Sequence, residues 1–383
     1  MNFEALIGDD LYQLNLVLWM LQPAPPARGT SRRTSQQRGA IAAPKPTVVN
    51  PVFRQAGFHL YAIEPSLPLP LDLRDKLKKS GVEVSDSPRP DVVMKSDAGE
   101  FAIVECKRSL FGDGAGQPPD HLRPQRQARG LLLNAPAVLS GALALSPSKV
   151  KASAVVYLFP SSGRADQTKG IESINAELLK AGFATASLVA FALEIKGGWV
   201  VMRSQKLKTK QPHPPWIPGS SKPQSWRVQQ TAGANFDPRP MYIIPWIPRG
   251  GASSDAPAKR LFGNRILAWA VMQIGPATVP TVVNLRVDEA LRHATLGHFE
   301  RWENNEEKKF LRRNARDLVR KRIGIAKSEA LTTDVPAPPG DIVVTLADDA
   351  TKVAIIEALR GEIDESWNDN RQGTLFPEDE GAA

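Results

Sequence analysis

One pairing restricts this chain more than any other feature: Pro90-Asp91, followed after thirteen intervening residues by Glu105-Cys106-Lys107. Proline disfavours helix at the residue before it, Arg89, so Val82 to Val84 and Val92 to Met94 read as extended. Ser96-Asp97-Ala98-Gly99 has turn chemistry, which makes Phe101 to Cys106 the hairpin partner. A strand sends alternate side chains to opposite faces. Phe101, Ile103, Glu105 and Lys107 therefore share one face, and Ala102, Val104 and Cys106 the other. An apolar strand ending in a carboxylate and an ammonium on the same side is an odd way to build only a core. Unpaired buried charge costs several kcal/mol or more, so the pair is expected at an opening. A nearby Asp91 would add oxygen ligands for a hard cation such as Mg²⁺, with Lys107 as a point charge near a phosphate.

These residues resemble the signature of the PD-(D/E)xK nuclease superfamily. The resemblance implies an α/β fold, a restriction-endonuclease-like mixed sheet flanked by helices, over residues 51–204. It implies that Asp91 and Glu105 bind Mg²⁺ (or Mn²⁺), joined by the backbone carbonyl of Cys106, and that Lys107 serves the attacking water or the developing charge. In many members a Gln on the following helix faces the metal; Gln127 is the first candidate and Gln125 the second. The Tyr that often follows that Gln is replaced here by Leu131. Some members add a Glu from the first helix, for which Glu64 and Asp75 are the local options. The implied activity is metal-dependent hydrolysis of DNA phosphodiester bonds, in restriction, anti-phage defence or DNA repair. The alternative is a catalytically silent nucleic-acid-binding or scaffold subunit on the same kind of fold, since fold does not fix function.

The rest of the chain divides by composition. Residues 1–21 read as an amphipathic helix, either packed on its own domain or docking a partner. Residues 22–50 form a basic, Pro-rich linker, expected to be disordered in isolation. After the core, the 205–260 stretch is Pro- and Trp-rich and basic, with Pro-Trp-Ile-Pro at Pro215 to Pro218 and again at Pro245 to Pro248. Trp216 and Trp246 are expected to pack on the domain surface. A mostly helical C-terminal domain follows over 261–361, then an acidic, flexible tail over 362–383. The tail holds Gln372-Gly373-Thr374-Leu375-Phe376, similar to the peptides by which bacterial DNA enzymes dock on the replication sliding clamp.

Charge supports a polyanionic partner: the formal net charge is +9 and the chain has 33 prolines, many in its linkers. Candidate phosphate contacts are Arg108, Lys206, Lys208 and Lys210, and Arg313, Arg316 and Arg320 on a helix whose opposite stripe is Leu311, Ala315 and Leu318. Cys106 is the only cysteine, which excludes an intrachain disulfide and a multi-cysteine zinc site. Gly112 to Gly116 lacks the Gly-Lys-Ser/Thr of a phosphate loop. The apolar stretch from Met1 to Leu21 carries Glu4, Asp9 and Asp10 and lacks a basic start. It reads as neither signal peptide nor membrane span, and a cytoplasmic location is expected.

Overall fold

The computed structural model describes residues 7–22, 49–107, 123–209, 213–220, 223–230, 243–244, 256–303, 305–326 and 341–360. It falls into two compact units, Met1–Met241 and Tyr242–Ala383.

The first unit is an α/β structure on a seven-stranded mixed sheet whose spatial order follows the chain: β1 (Phe58–Ile63), β2 (Val92–Ser96), β3 (Glu100–Cys106), β4 (Ala152–Pro160), β5 (Ser187–Lys196), β6 (Trp199–Ser204) and β7 (Ser225–Gln230). β1 to β3 form an antiparallel meander, β3 to β5 are parallel, and β5 to β7 are antiparallel again. Parallel neighbours need a crossover. Helices α4 (Arg123–Leu132) and α5 (Pro136–Ala142) supply the first, and α6 (Arg164–Lys180) the second. Two further helices come earlier in the chain, α2 (Val52–Gln55) before β1 and α3 (Leu71–Lys79) after it. The central strands read as near-continuous apolar runs because both their faces are covered. On one face Phe101, Ile103, Val155 and Tyr157 pack against Leu131 and Leu132 of α4 and Ile171 and Leu178 of α6. On the other, Phe191 meets Phe53 of α2 and Trp226 of β7 edge-on, each at 6.0 Å between ring centroids.

The loop leading into β2 is seated on α4. Ser85 N–H donates to the Arg126 carbonyl at 3.0 Å, and Arg126 pairs with Glu83 at 2.7 Å. Gly130 makes this seat close: a Cβ there would lie 2.9 Å from the Ser85 carbonyl oxygen and 3.0 Å from Pro88 Cγ.

Two expectations for this unit are corrected. The N-terminal helix, α1 (Asp10–Met20), is not amphipathic: from Leu11 to Leu18 every residue is buried. A helix apolar on all sides belongs inside, and α1 packs against α2 and β3. Asp9 starts it, its carboxylate accepting from Leu11 N–H at 2.8 Å. Its polar residues are bonded. Tyr12 Oη–H donates to Gln229 Oε1 of β7 at 2.5 Å, and Asn15 Nδ2 to the Leu11 carbonyl at 2.9 Å. Nor does the sheet end at Ser204. Residues 225–230 add β7, so the stretch read as a linker contributes a strand. Trp216 packs on Phe58 at 6.0 Å, in line with the surface-packing expectation. Gly219, at φ +87°, lies where a Cβ would be 2.7 Å from Ser204 Cβ, which presses this segment onto the end of β6.

The second unit holds α7 (Ala256–Ile274), β8 (Thr281–Leu285), α8 (Val287–Ala294), α9 (Asn305–Ala326), β9 (Ile342–Leu346) and α10 (Asp349–Arg360). It is mainly helical, with β8 and β9 paired antiparallel from Thr281↔Leu346 to Leu285↔Ile342. Leu311, Ala315, Leu318, Val319 and Ile323 of α9 are buried, as is Trp302 in the connection before it. No described helix in either unit is long and apolar enough to cross a membrane.

Candidate functional site

Strand register brings the charged residues together. Val92 pairs with Val104, so Asp91, one residue earlier, comes level with Glu105, one residue later. Glu105 in turn pairs with Tyr157 of β4. On the outer side, Glu64 N–H donates to the Asp91 carbonyl at 3.0 Å. The row Glu64, Asp91, Glu105, Tyr157 thus crosses four strands at one end of the sheet. Positions 91, 93, 103 and 105 point to the same face, the one covered by α4.

Within this row the bonds are specific. Cys106 N–H donates to Asp91 Oδ2 at 2.6 Å, which fixes the carboxylate beside the end of β3. Lys107 Nζ donates to Glu105 Oε1 at 2.6 Å. The Glu105 side chain is only 5% exposed and the Lys107 side chain 22%, so the pair runs from the interior to the rim, as the alternation of β3 required. Glu105 Oε2 is buried and accepts no hydrogen bond. Lys107 offsets the charge from the Oε1 side, while the Oε2 side is desolvated with no donor of its own. Burial raises the Asp91 pKa well above the ordinary carboxylate range, and the neighbouring Glu105 raises it further. Lys107 and the Cys106 N–H oppose that shift, while Glu64 adds to it. Tyr157 is likewise pushed upward, first by burial and then by Glu105.

Glu64 stands at the end of β1 and not on a helix. It is buried and adopts φ +50°, a left-handed conformation uncommon outside Gly, Asn and Asp. Asp75 lies exposed on α3. Among the described residues no three or more His, Cys, Asp or Glu side chains are grouped so as to hold a metal ion. The row presents Asp91 and Glu105 level with each other, with Glu64 and Tyr157 on the flanking strands.

Gln127 of α4 is brought to the strand carrying Asp91, but through main chain: its Nε2 donates to the Arg89 carbonyl at 2.5 Å. It braces the Pro-Asp turn. Gln125 is half-buried on the same helix.

A residue that sequence reasoning missed enters from α1. The Gln13 side chain is fully buried. Its Oε1 accepts from Lys107 N–H at 3.1 Å, and its Nε2 donates to the Lys107 carbonyl at 3.2 Å and to the Ile7 carbonyl at 2.8 Å. The other partner of Lys107 N–H is the Leu158 carbonyl of β4 at 2.9 Å. A Gln among the apolar residues of this helix was the available signal, since a buried amide demands partners and only Asn15 of the two amides finds its partner one turn back in the helix.

The proposed phosphate contacts are not gathered here by any described bond. Lys206 and Lys208 are exposed after β6, where Leu207 packs on the core and Lys208 N–H donates to Glu172 Oε1 at 2.5 Å. Arg313, Arg316 and Arg320 lie on α9 in the second unit. Arg108, Lys210, Trp246, residues 23–48 and the tail with Gln372 to Phe376 lie outside the described residues. Comparison with protein-family models, with curated proteins and with solved structures finds no match to this chain.

Proposed function

We propose that the first unit is a Mg²⁺-dependent nuclease acting on DNA, with Asp91, Glu105 and Lys107 at its centre. One observation carries the reading: a buried carboxylate oxygen of Glu105 without a hydrogen bond, level with a second carboxylate whose pKa burial raises. Two such groups repel each other until a proton or a cation lies between them. Mg²⁺ suits the position because it takes few protein oxygens and keeps several waters. Asp91, Glu105 and the Cys106 carbonyl would hold it. When bound, it would supply Lewis-acid activation of a water and charge neutralisation at the phosphate.

The protein groups have separate tasks. Cys106 N–H orients the Asp91 carboxylate. Lys107 is held at the rim by Glu105, where its ammonium can meet a phosphoryl oxygen and stabilise developing charge. Gln127 fixes the turn that delivers Asp91. The strand order also supports a restriction-endonuclease-like reading: an antiparallel meander carrying both acids, then parallel strands reached through α4 and α6. Restriction, anti-phage defence and DNA repair are the roles that would use such an activity.

The test incubates the full chain, Asp91→Ala and Lys107→Ala with linear, circular and single-stranded DNA in Mg²⁺, Mn²⁺ or EDTA. The expected result is metal-dependent cleavage lost in both variants. DNA bound by all three proteins but cut by none, under every metal condition, would overturn catalysis in favour of a binding subunit.

A further inference from the structure

We propose that the outward row of α9, Lys309, Arg313, Arg316 and Arg320, is a contact surface for the phosphate backbone of duplex DNA. The choice of DNA as the polyanion rests on the nuclease reading; the surface itself rests on how the cations of this helix are used.

Those cations divide into two sets. The first serves the fold of the second unit. Arg312 makes a two-pronged bond to Asp288 of α8, Nε to Oδ1 at 2.7 Å and Nη2 to Oδ2 at 2.9 Å. Its guanidinium also lies 5.3 Å from the centre of the Phe299 ring, and Lys308 Nζ lies 5.6 Å from the same ring. Both cations are occupied by α8 and the connection to α9.

The second set lies opposite the buried stripe Leu311, Ala315 and Leu318 and is not used in this way. Positions 309, 313, 316 and 320 recur at helical spacing, so their side chains share one face. Lys309, Arg313 and Arg320 are exposed and Arg316 is half-buried. Among the described residues of the helix Asp317 is the carboxylate beside them, and it is shared at the edge of ion-pair range: 3.9 Å from Arg313 and 3.8 Å from Arg316. Among the described residues Lys309 and Arg320 form no ion pair. At 1.5 Å per residue the row is roughly 16 Å long, about five phosphate steps of one DNA strand at ~3.4 Å each. A rigid helix holds these cations at fixed spacing, so little backbone ordering is needed when they meet a polyanion. The outward set is therefore the one available to a partner, and its charge selects an anionic one.

The test is the salt dependence of duplex binding by the full chain, in EDTA so that nothing is cut. Fluorescence anisotropy compares three proteins: the parent, the triple variant Lys309→Gln, Arg313→Gln, Arg320→Gln, and the control triple Lys76→Gln, Lys78→Gln, Lys79→Gln on exposed positions of α3. Circular dichroism checks that each is folded. Three lost phosphate contacts lower the slope of log K against log salt by about 2.7, so affinity falls about 40-fold less between 50 and 200 mM salt in the α9 variant than in the parent. The control should keep the parent slope. Arg320→Gln alone should lower the slope by about 0.9. An α9 variant with the parent slope overturns the proposal, as does an equal change in the α3 control. Tight binding of single-stranded RNA with none of duplex DNA overturns the choice of DNA. Failure of the nuclease reading is distinguishable: absent cleavage with the slope change intact removes that reading and leaves this surface standing.

Discussion

Replacing Gln13 by Met should loosen the fold and the charged row together, although Gln13 lies 94 residues from Lys107 in the chain. Met keeps most of the side-chain volume and removes both polar atoms. The Ile7 carbonyl then loses a buried donor, which costs about 1–3 kcal/mol. The Lys107 carbonyl loses a partly buried one, worth about 0.5–1.5 kcal/mol. Lys107 N–H keeps its bond to the Leu158 carbonyl, so its share of the loss is small. The sum is a destabilisation of roughly 1.5–4.5 kcal/mol, read by urea unfolding. Tyr12→Phe is the comparison: it removes the buried bond to Gln229 of the edge strand β7, leaves that acceptor unpaired, and should cost about 1–3 kcal/mol. Cleavage separates the two. At a temperature where both are folded, Gln13→Met should lower kcat while Tyr12→Phe leaves it near the parent value. An unfolding free energy for Gln13→Met within about 0.5 kcal/mol of the parent, the range of an inert surface change, would refute the reasoning. So would equal kcat in the two variants.

Asp91→Asn should stabilise the metal-free protein at high pH. The native pKa of Asp91 is raised, so the native state binds its proton more tightly than the unfolded chain, and that stabilisation is lost as pH rises through the native pKa. Asn removes the charge and still offers an oxygen to Cys106 N–H. In EDTA the variant should exceed the parent in urea midpoint at pH 8, with the gap closing below the ordinary Asp range; a parent more stable at pH 8 contradicts the assignment. Gly130→Ala should cost roughly 1–3 kcal/mol through overpacking, only partly offset by the ~1 kcal/mol that Ala gains in a helix, for a net loss of up to about 2 kcal/mol. The clash is with the Ser85 main chain, which cannot rotate away, and kcat should fall because α4 seats the loop leading to Asp91. A more stable Gly130→Ala would show that the loop yields.

Local pattern determined much of the first unit. The alternation of β3 placed Glu105 and Lys107 on one face, and the turn at Ser96 to Gly99 set the register that brings Asp91 level with Glu105. Both are short-range effects, readable within some twenty residues. The long apolar runs of β4 and β5 have the pattern of strands covered on both faces, and in the second unit the stripe Leu311, Ala315, Leu318 gave the buried side of α9. Tertiary structure decided the remainder. β1, β7 and β8 are short and mixed in composition, and they are strands because a neighbouring edge accepts them. Glu64 reaches the row only through the pairing of β1 with β2. Gln13 meets Lys107 because α1 is buried from Leu11 to Leu18, a placement that depends on what covers it. Periodicity is local and survives in one dimension. Burial and partnership are properties of what lies across the sheet, and the chain settles them only when distant segments are packed together.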